Sequence, residues 1–218
     1  MTRTAVLVAV GLLASAGRVR AQEAGGFAIV RGADTIAAEQ WSREDVSLKG
    51  SLVRGVGAPA SRERLQYQAT LVDDGSAPLV ELSVWRGDDA GDHAARQTVR
   101  LIFKDDSVAI DDMRAGAGVM TRVLPTTRAA IPYLNLSVAF LEQATRRAAQ
   151  QHADTLSVPF FNLGGGQTLV GSLARLGADS TAVRFAGVEF RLRTDAGGRI
   201  LGGAVPAQGL LILRSDAH

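Results

Sequence analysis

Apolar and polar residues alternate along most of the chain. In residues 46–52 (VSLKGSL), Val46, Leu48 and Leu52 face one way and Ser47, Lys49 and Ser51 the other. Residues 64–71 (RLQYQATL) repeat the pattern with Leu65, Tyr67, Ala69 and Leu71 on one face. It continues through Val80, Leu82 and Val84, then Val99, Leu101 and Phe103, then Leu156, Val158 and Phe160, and finally Val188, Phe190 and Leu192. A period of two means strands with one buried and one wetted face, as in antiparallel sheet. Between these runs stand short turn phrases such as RGAD (31–34), DDG (73–75), GAD (177–179) and DAGG (195–198). Gly and Asp serve there because they tolerate positive φ or bond their own backbone. Links this short make neighbouring strands antiparallel.

One segment breaks the alternation. After Pro125 and Pro132, residues 133–151 carry Leu134, Val138, Leu141, Ala144 and Ala148 at helical spacing. Arg146 and Arg147 lie towards the end, where the helix dipole favours cations, and Asn135 or Ser137 suits the N-cap. The fold class expected is therefore mainly β: a curved antiparallel meander of about a dozen strands with one amphipathic helix near 133–151. No Pro/Ser-rich linker divides residues 22–218, which are expected to form a single domain.

The first residues change the picture of where that domain works. Arg3 precedes a 12-residue apolar run, AVLVAVGLLASA, and Val19 and Ala21 suit signal-peptidase cleavage. Twelve helical residues rise only about 18 Å against a hydrocarbon core of roughly 30 Å, so residues 1–21 read as a signal peptide. A mature chain starting at Gln22 is expected outside the cytoplasm, periplasmic or extracellular, without a transmembrane segment. Removing Arg3, Arg18 and Arg20 turns the formal charge from +2 to −1. The basic balance of the whole sequence thus gives no support for nucleic-acid binding. Cysteine is absent, which excludes thiol nucleophiles, disulfides and cysteine-held zinc.

Candidate chemistry is sparse. The stretch FNLGGGQT places Gly164, Gly165 and Gly166 together. A phosphate loop needs a helix directly after it, whereas QTLVGSLARL alternates, so the glycines read as a hairpin turn, with Gly165 as a candidate positive-φ position. In GDDAGDH, Asp88, Asp89, Asp92 and His93 gather, but without the alternating ligands and distal glutamate of a calcium loop. The pairs Asp73-Asp74, Asp105-Asp106 and Asp111-Asp112 read as turn chemistry at strand ends. No G-x-S-x-G, S-x-x-K or H-E-x-x-H is present, which leaves His93 as the general-base candidate. No cofactor or metal is expected. Trp41 and Trp85 fall on the less apolar side of their runs and read as exposed anchors.

The order of elements, a long antiparallel meander, one internal helix and a closing set of strands, resembles the periplasmic lipoprotein-carrier type of half-barrel. The segments FAIVRGADTIAAEQWSRE and VEFRLRTDAGGRILGGAVP also resemble uncharacterised β-modules that precede α/β-hydrolase domains in secreted bacterial proteins. The first resemblance implies a curved sheet around a helix with an apolar concave groove. It points to an exported, non-enzymatic protein that binds a hydrophobic ligand or lipid-like group. The groove is expected to be lined by Leu65, Tyr67, Leu82, Leu101, Phe103 and Leu141. The alternatives are an interaction or assembly module for a protein partner, through sheet edges or tryptophans, and a hydrolase around His93.

Overall fold

The computed structural model describes residues 22–57, 61–87 and 94–216. Glu23–Arg31 (β1), Asp34–Glu44 (β2), Ser47–Arg54 (β3) and Glu63–Thr70 (β4) run on into Leu79–Arg86 (β5), Gln97–Phe103 (β6), Ser107–Arg114 (β7) and Gly118–Pro125 (β8). A short strand, Ile131–Tyr133 (β9), leads to the helix Val138–Gln150 (α1). Then follow Thr155–Asn162 (β10), Gln167–Arg175 (β11), Ser180–Phe185 (β12), Val188–Thr194 (β13), Ile200–Val205 (β14) and Leu210–Asp216 (β15).

All fifteen strands belong to one curved, unclosed sheet, ordered β8 to β1 and then β15 down to β9. Two meandering arms are joined where the first and last strands pair, with Ile29 opposite Ile212. The chain is thus a mainly-β, half-barrel-like fold with a single α-helix among the described residues. One pair departs from the antiparallel rule: β9 runs parallel to β10, with Ile131 opposite Phe160. Three residues are too few to show a period, so this strand gave no sequence signal, and its last residue, Tyr133, falls at the start of the expected helix.

The helix starts later than its periodicity suggests. Ser137 is the N-cap, and its hydroxyl accepts from the Phe140 N–H at 3.4 Å. Leu136, directly before it, has φ 65°, a left-handed conformation that ends the β9 connection. Val138, Leu141, Ala144 and Ala148 are buried as expected, but so are Glu142, Gln143, Thr145 and Arg147. The helix therefore fills the concavity of the sheet instead of lying across it with one wet face.

The glycines of FNLGGGQT form the β10–β11 turn, with Asn162 opposite Gln167 and a strand, not a helix, following. Asn162 Oδ1 accepts from the Gly164 and Gly165 N–H groups. The positive φ falls on Gly166, at 66°, rather than on Gly165. A Cβ on Gly166 would also stand 2.9 Å from Leu124 Cδ1, so Gly166 is the position where a side chain is costly.

The tryptophans correct the sequence expectation, since both are buried. Trp41 shares the inner face with Ala37 and Glu39, stacks on Phe27 and lies 5.2 Å beneath the Arg214 guanidinium. Its face read as polar because Glu39 and Arg43 also stand there, each for a structural reason. Trp85 is covered by Arg64, its cross-strand neighbour, 4.6 Å from the ring centroid. Asp111 and Asp112 lie within β7, not at a turn, and Asp112 is buried against Gln97 and Arg114.

Candidate binding cavity

Two buried carboxylates decide where the helix sits. Glu39, on the inner face of β2, is fully buried beneath the start of α1. Its Oε2 accepts the Val138 and Ala139 N–H groups at 2.8 and 3.0 Å. Its Oε1 accepts the Tyr67 hydroxyl at 2.8 Å and the Ser137 hydroxyl. The first helical N–H groups lack intrahelical partners and carry positive potential, so an anion from the sheet satisfies both needs. Burial pushes the Glu39 carboxyl above its ordinary range, against four hydrogen bonds that pull it down. Tyr67 reaches this carboxylate because its cross-strand partner is Gly50: a Cβ there would stand 2.3 Å from the phenol oxygen.

Glu142 fixes the middle of the helix to the other arm. It accepts from the Ile200 N–H at 2.8 Å, from Arg214 Nη1 at 3.1 Å and from Arg146 Nε at 2.8 Å. The Thr145 hydroxyl bonds Gly198 O at 2.6 Å nearby. The helix start is thus held against β2, in the first arm, while its middle is held against β14 and β15.

A gap remains between the first helical turns and the second arm. The result is a partly enclosed cavity of about 110 Å³. Leu136, Val138 and Leu141 line it at the helix, and Ile29, Leu169, Phe185, Val188, Phe190, Val205, Leu210 and Ile212 line it from the sheet and its turns. The polar groups Asn135, Asn162 and Gln208 also line it. Phe185 anchors the aromatic wall, stacked between Phe160 at 4.4 Å and Phe190 at 5.4 Å, with Tyr133 edge-on at 4.6 Å. Ala186, at φ 51°, and Gly187, at φ 74°, make the tight turn after Phe185. An engineered apolar cavity of roughly 150 Å³ admits benzene, so this one suits a ring or the end of an alkyl chain.

Of the six expected groove residues, Leu141 lines this cavity. Leu65, Tyr67, Leu82, Leu101 and Phe103 are buried on the inner face of the first arm, in the core packed against the helix. Phe140 fills the space above Tyr67 at 4.9 Å, and Phe161 meets Phe103 edge-on at 5.4 Å. The inner faces of both arms are legible as alternation, including Val188 and Phe190. Which arm stays open depends on the inward-pointing Glu39, whose only sequence signal is its place two residues from Ala37 and Trp41 on an inner face. Asp88, Asp89, Asp92 and His93 lie outside the described residues, as do residues 1–21. Among the described residues, no three His, Asp or Glu side chains gather as a metal site.

A wider, polar cleft of about 670 Å³ opens near the helix end, beside Glu23, Arg43, Asp73, Gln143 and Arg146. Burial, with Arg146 close by, brings the Arg43 guanidinium down to about 10. Burial raises the Glu23 carboxyl, but its pairing with Arg146 outweighs this and leaves it below its ordinary 4.5. A depressed carboxyl contributes stability above its unfolded pKa and loses it as pH falls through the folded value. The expected result is that Glu23→Gln lowers the melting temperature near neutrality and flattens its fall below pH 4.5, so that the variant and the parent converge in acid, measured by melting at a series of pH values.

No protein-family model matches the chain, and no curated protein matches it. Among solved structures, the crystal structure of a DUF1089 family protein from Pseudomonas aeruginosa is similar, with a TM-score of 0.54. The match covers 94% of this chain and 98% of that one at 13% identity. At that identity the likeness shows a shared fold.

Proposed function

We propose that this is an exported, non-enzymatic protein that binds an apolar group in the cavity between α1 and the second arm. The observation that carries the reading is the cavity itself: a pre-formed, aliphatic and aromatic pocket with a few polar groups among its lining residues. The half-barrel-like fold supports it, since the lipoprotein-carrier architecture that the sequence resembles also sets a helix in a curved sheet. The volume favours one alkyl end or one ring over a whole lipid, whose remainder would extend outside. The ligand class is therefore an amphiphile with a linear or aromatic apolar terminus. The signal-like residues 1–21 support export, with Gln22 as the expected first residue of the mature chain.

A series of straight-chain alkanols tests this by thermal shift and calorimetry. Each added methylene is expected to contribute about 0.8 kcal/mol, close to a fourfold gain in affinity, until the cavity is full. Val188→Trp, which fills the cavity from the β13 wall, is expected to abolish the series while the protein stays folded. Chain-length dependence equal in the variant and the parent would place binding elsewhere and remove the proposal.

A further inference from the structure

The free edge of the sheet carries a second, independent signal. Strand β8 ends the sheet, and among the described residues nothing pairs with its outer edge along 119–123. Every residue from Gly118 to Val123 is exposed, so β8 stands clear of the core on both faces while β7 still buries Val108, Ile110 and Asp112. Its apolar side chains stand in water: Val119 is 62% and Val123 65% exposed. Long, apolar, unprotected edges are templates for another strand.

The ladder fixes which residues offer that template. The Ala115 N–H bonds Arg96 O on the β6 side, and the Thr126 N–H bonds Asp106 O on the β7 side. Antiparallel ladders alternate their bonding direction, so even-numbered residues of β8 bond β7 and odd-numbered ones aim their N–H and C=O outward. Pro125 agrees with this phase, because the N–H it lacks would have pointed to the open edge. Leu124 lies opposite the buried Val108, so the even side chains face inward and Val119, Thr121 and Val123 share the outer face.

We propose that β8 pairs with β8 of a second copy of this chain, antiparallel about a two-fold axis through Thr121. In that register Thr121 faces Thr121 of the other copy, and each Val119 faces a Val123. All three facing pairs present outward N–H and C=O groups, giving about six backbone bonds. The two valine pairs flank the axis on one face, and Arg122 faces Met120, so no like charges stand directly opposite. An axis through Arg122 would set two guanidiniums face to face and bring Pro125, which has no N–H to donate, opposite Val119. An axis through Val123 would face Thr121 with Pro125, which has no N–H to donate. Of the registers centred on 121, 122 and 123, the one through Thr121 alone avoids both faults.

Sedimentation of the purified protein is expected to show monomer passing to dimer as concentration rises to about 100 µM, as a micromolar Kd requires. Thr121→Pro removes an outward N–H together with the exposed Thr121 hydroxyl bond to Asp111, and is expected to weaken association at least about tenfold with little change in melting temperature. Val123→Lys, which leaves every backbone bond intact, is expected to do the same. Because the chain has no cysteine, a short bis-maleimide reports the register directly. It is expected to link Thr121→Cys protomers much faster than Met120→Cys protomers, whose thiols lie on the other face and off the axis. A protein that stays monomeric would overturn the proposal. So would a dimer indifferent to both edge variants, equal cross-linking at 120 and 121, or a hairpin that binds phosphatidylcholine vesicles through Val119 and Met120 in place of self-association.

Discussion

Glu39→Ala is expected to be among the most damaging single changes in the protein, lowering unfolding free energy by about 3–5 kcal/mol. The carboxylate satisfies two helix-start N–H groups and two hydroxyls in a site closed to water. Removing it leaves those donors buried without a partner, and each such donor costs about 1–3 kcal/mol. Glu39→Gln keeps the shape but can accept at one oxygen only, so either the hydroxyl pair or the amide pair faces an NH2 group. Its expected loss is roughly half that of the alanine variant. Urea unfolding measures both, read as a lower midpoint at constant slope. The position also bears on function, because freeing the helix start from β2 would let it settle into the cavity. Glu39→Gln is therefore expected to weaken alkanol binding as well as stability.

Glu142→Ala is expected to cost about as much, again 3–5 kcal/mol or so, for a different reason. It takes a buried carboxylate from the Arg214 guanidinium, which is almost wholly buried over Phe27 and Trp41, and orphans the Ile200 N–H. The loss should be partly reversible by a second change. Arg214→Met in the Glu142→Ala background removes the buried charge that has lost this carboxylate and keeps a flexible apolar stem over the rings, so the double variant is expected to be more stable than Glu142→Ala alone. A double-mutant cycle of unfolding free energies checks this. Additive losses would mean that the two side chains do not form one network.

Much of this architecture is legible in the chain because the sheet buries one face. Alternation in 46–52, 64–71 and 188–192 marks strands that are present, and the helical spacing from Val138 to Ala148 marks the helix. What escapes is what breaks the apolar-in rule. Glu39, Glu142 and Arg214 point inward, where partners from 14 to about 100 residues away in sequence hydrogen-bond them, and no local pattern announces such partners. The same blindness made Trp41 look exposed. The edge strand β8 escaped for the opposite reason: with neither face buried it has no alternation to read. The cavity lies beside the helix start, which Glu39 holds against β2, so the apolar residues that line it do not announce it by themselves.

The most direct test of the central claim is diffraction from a crystal of the protein pressurised with xenon. The account requires an anomalous peak enclosed by Leu141, Phe185, Val188 and Ile212, and the loss of that peak in Val188→Trp. An empty or collapsed space there, with the helix start packed directly onto β12 and β13, would contradict it.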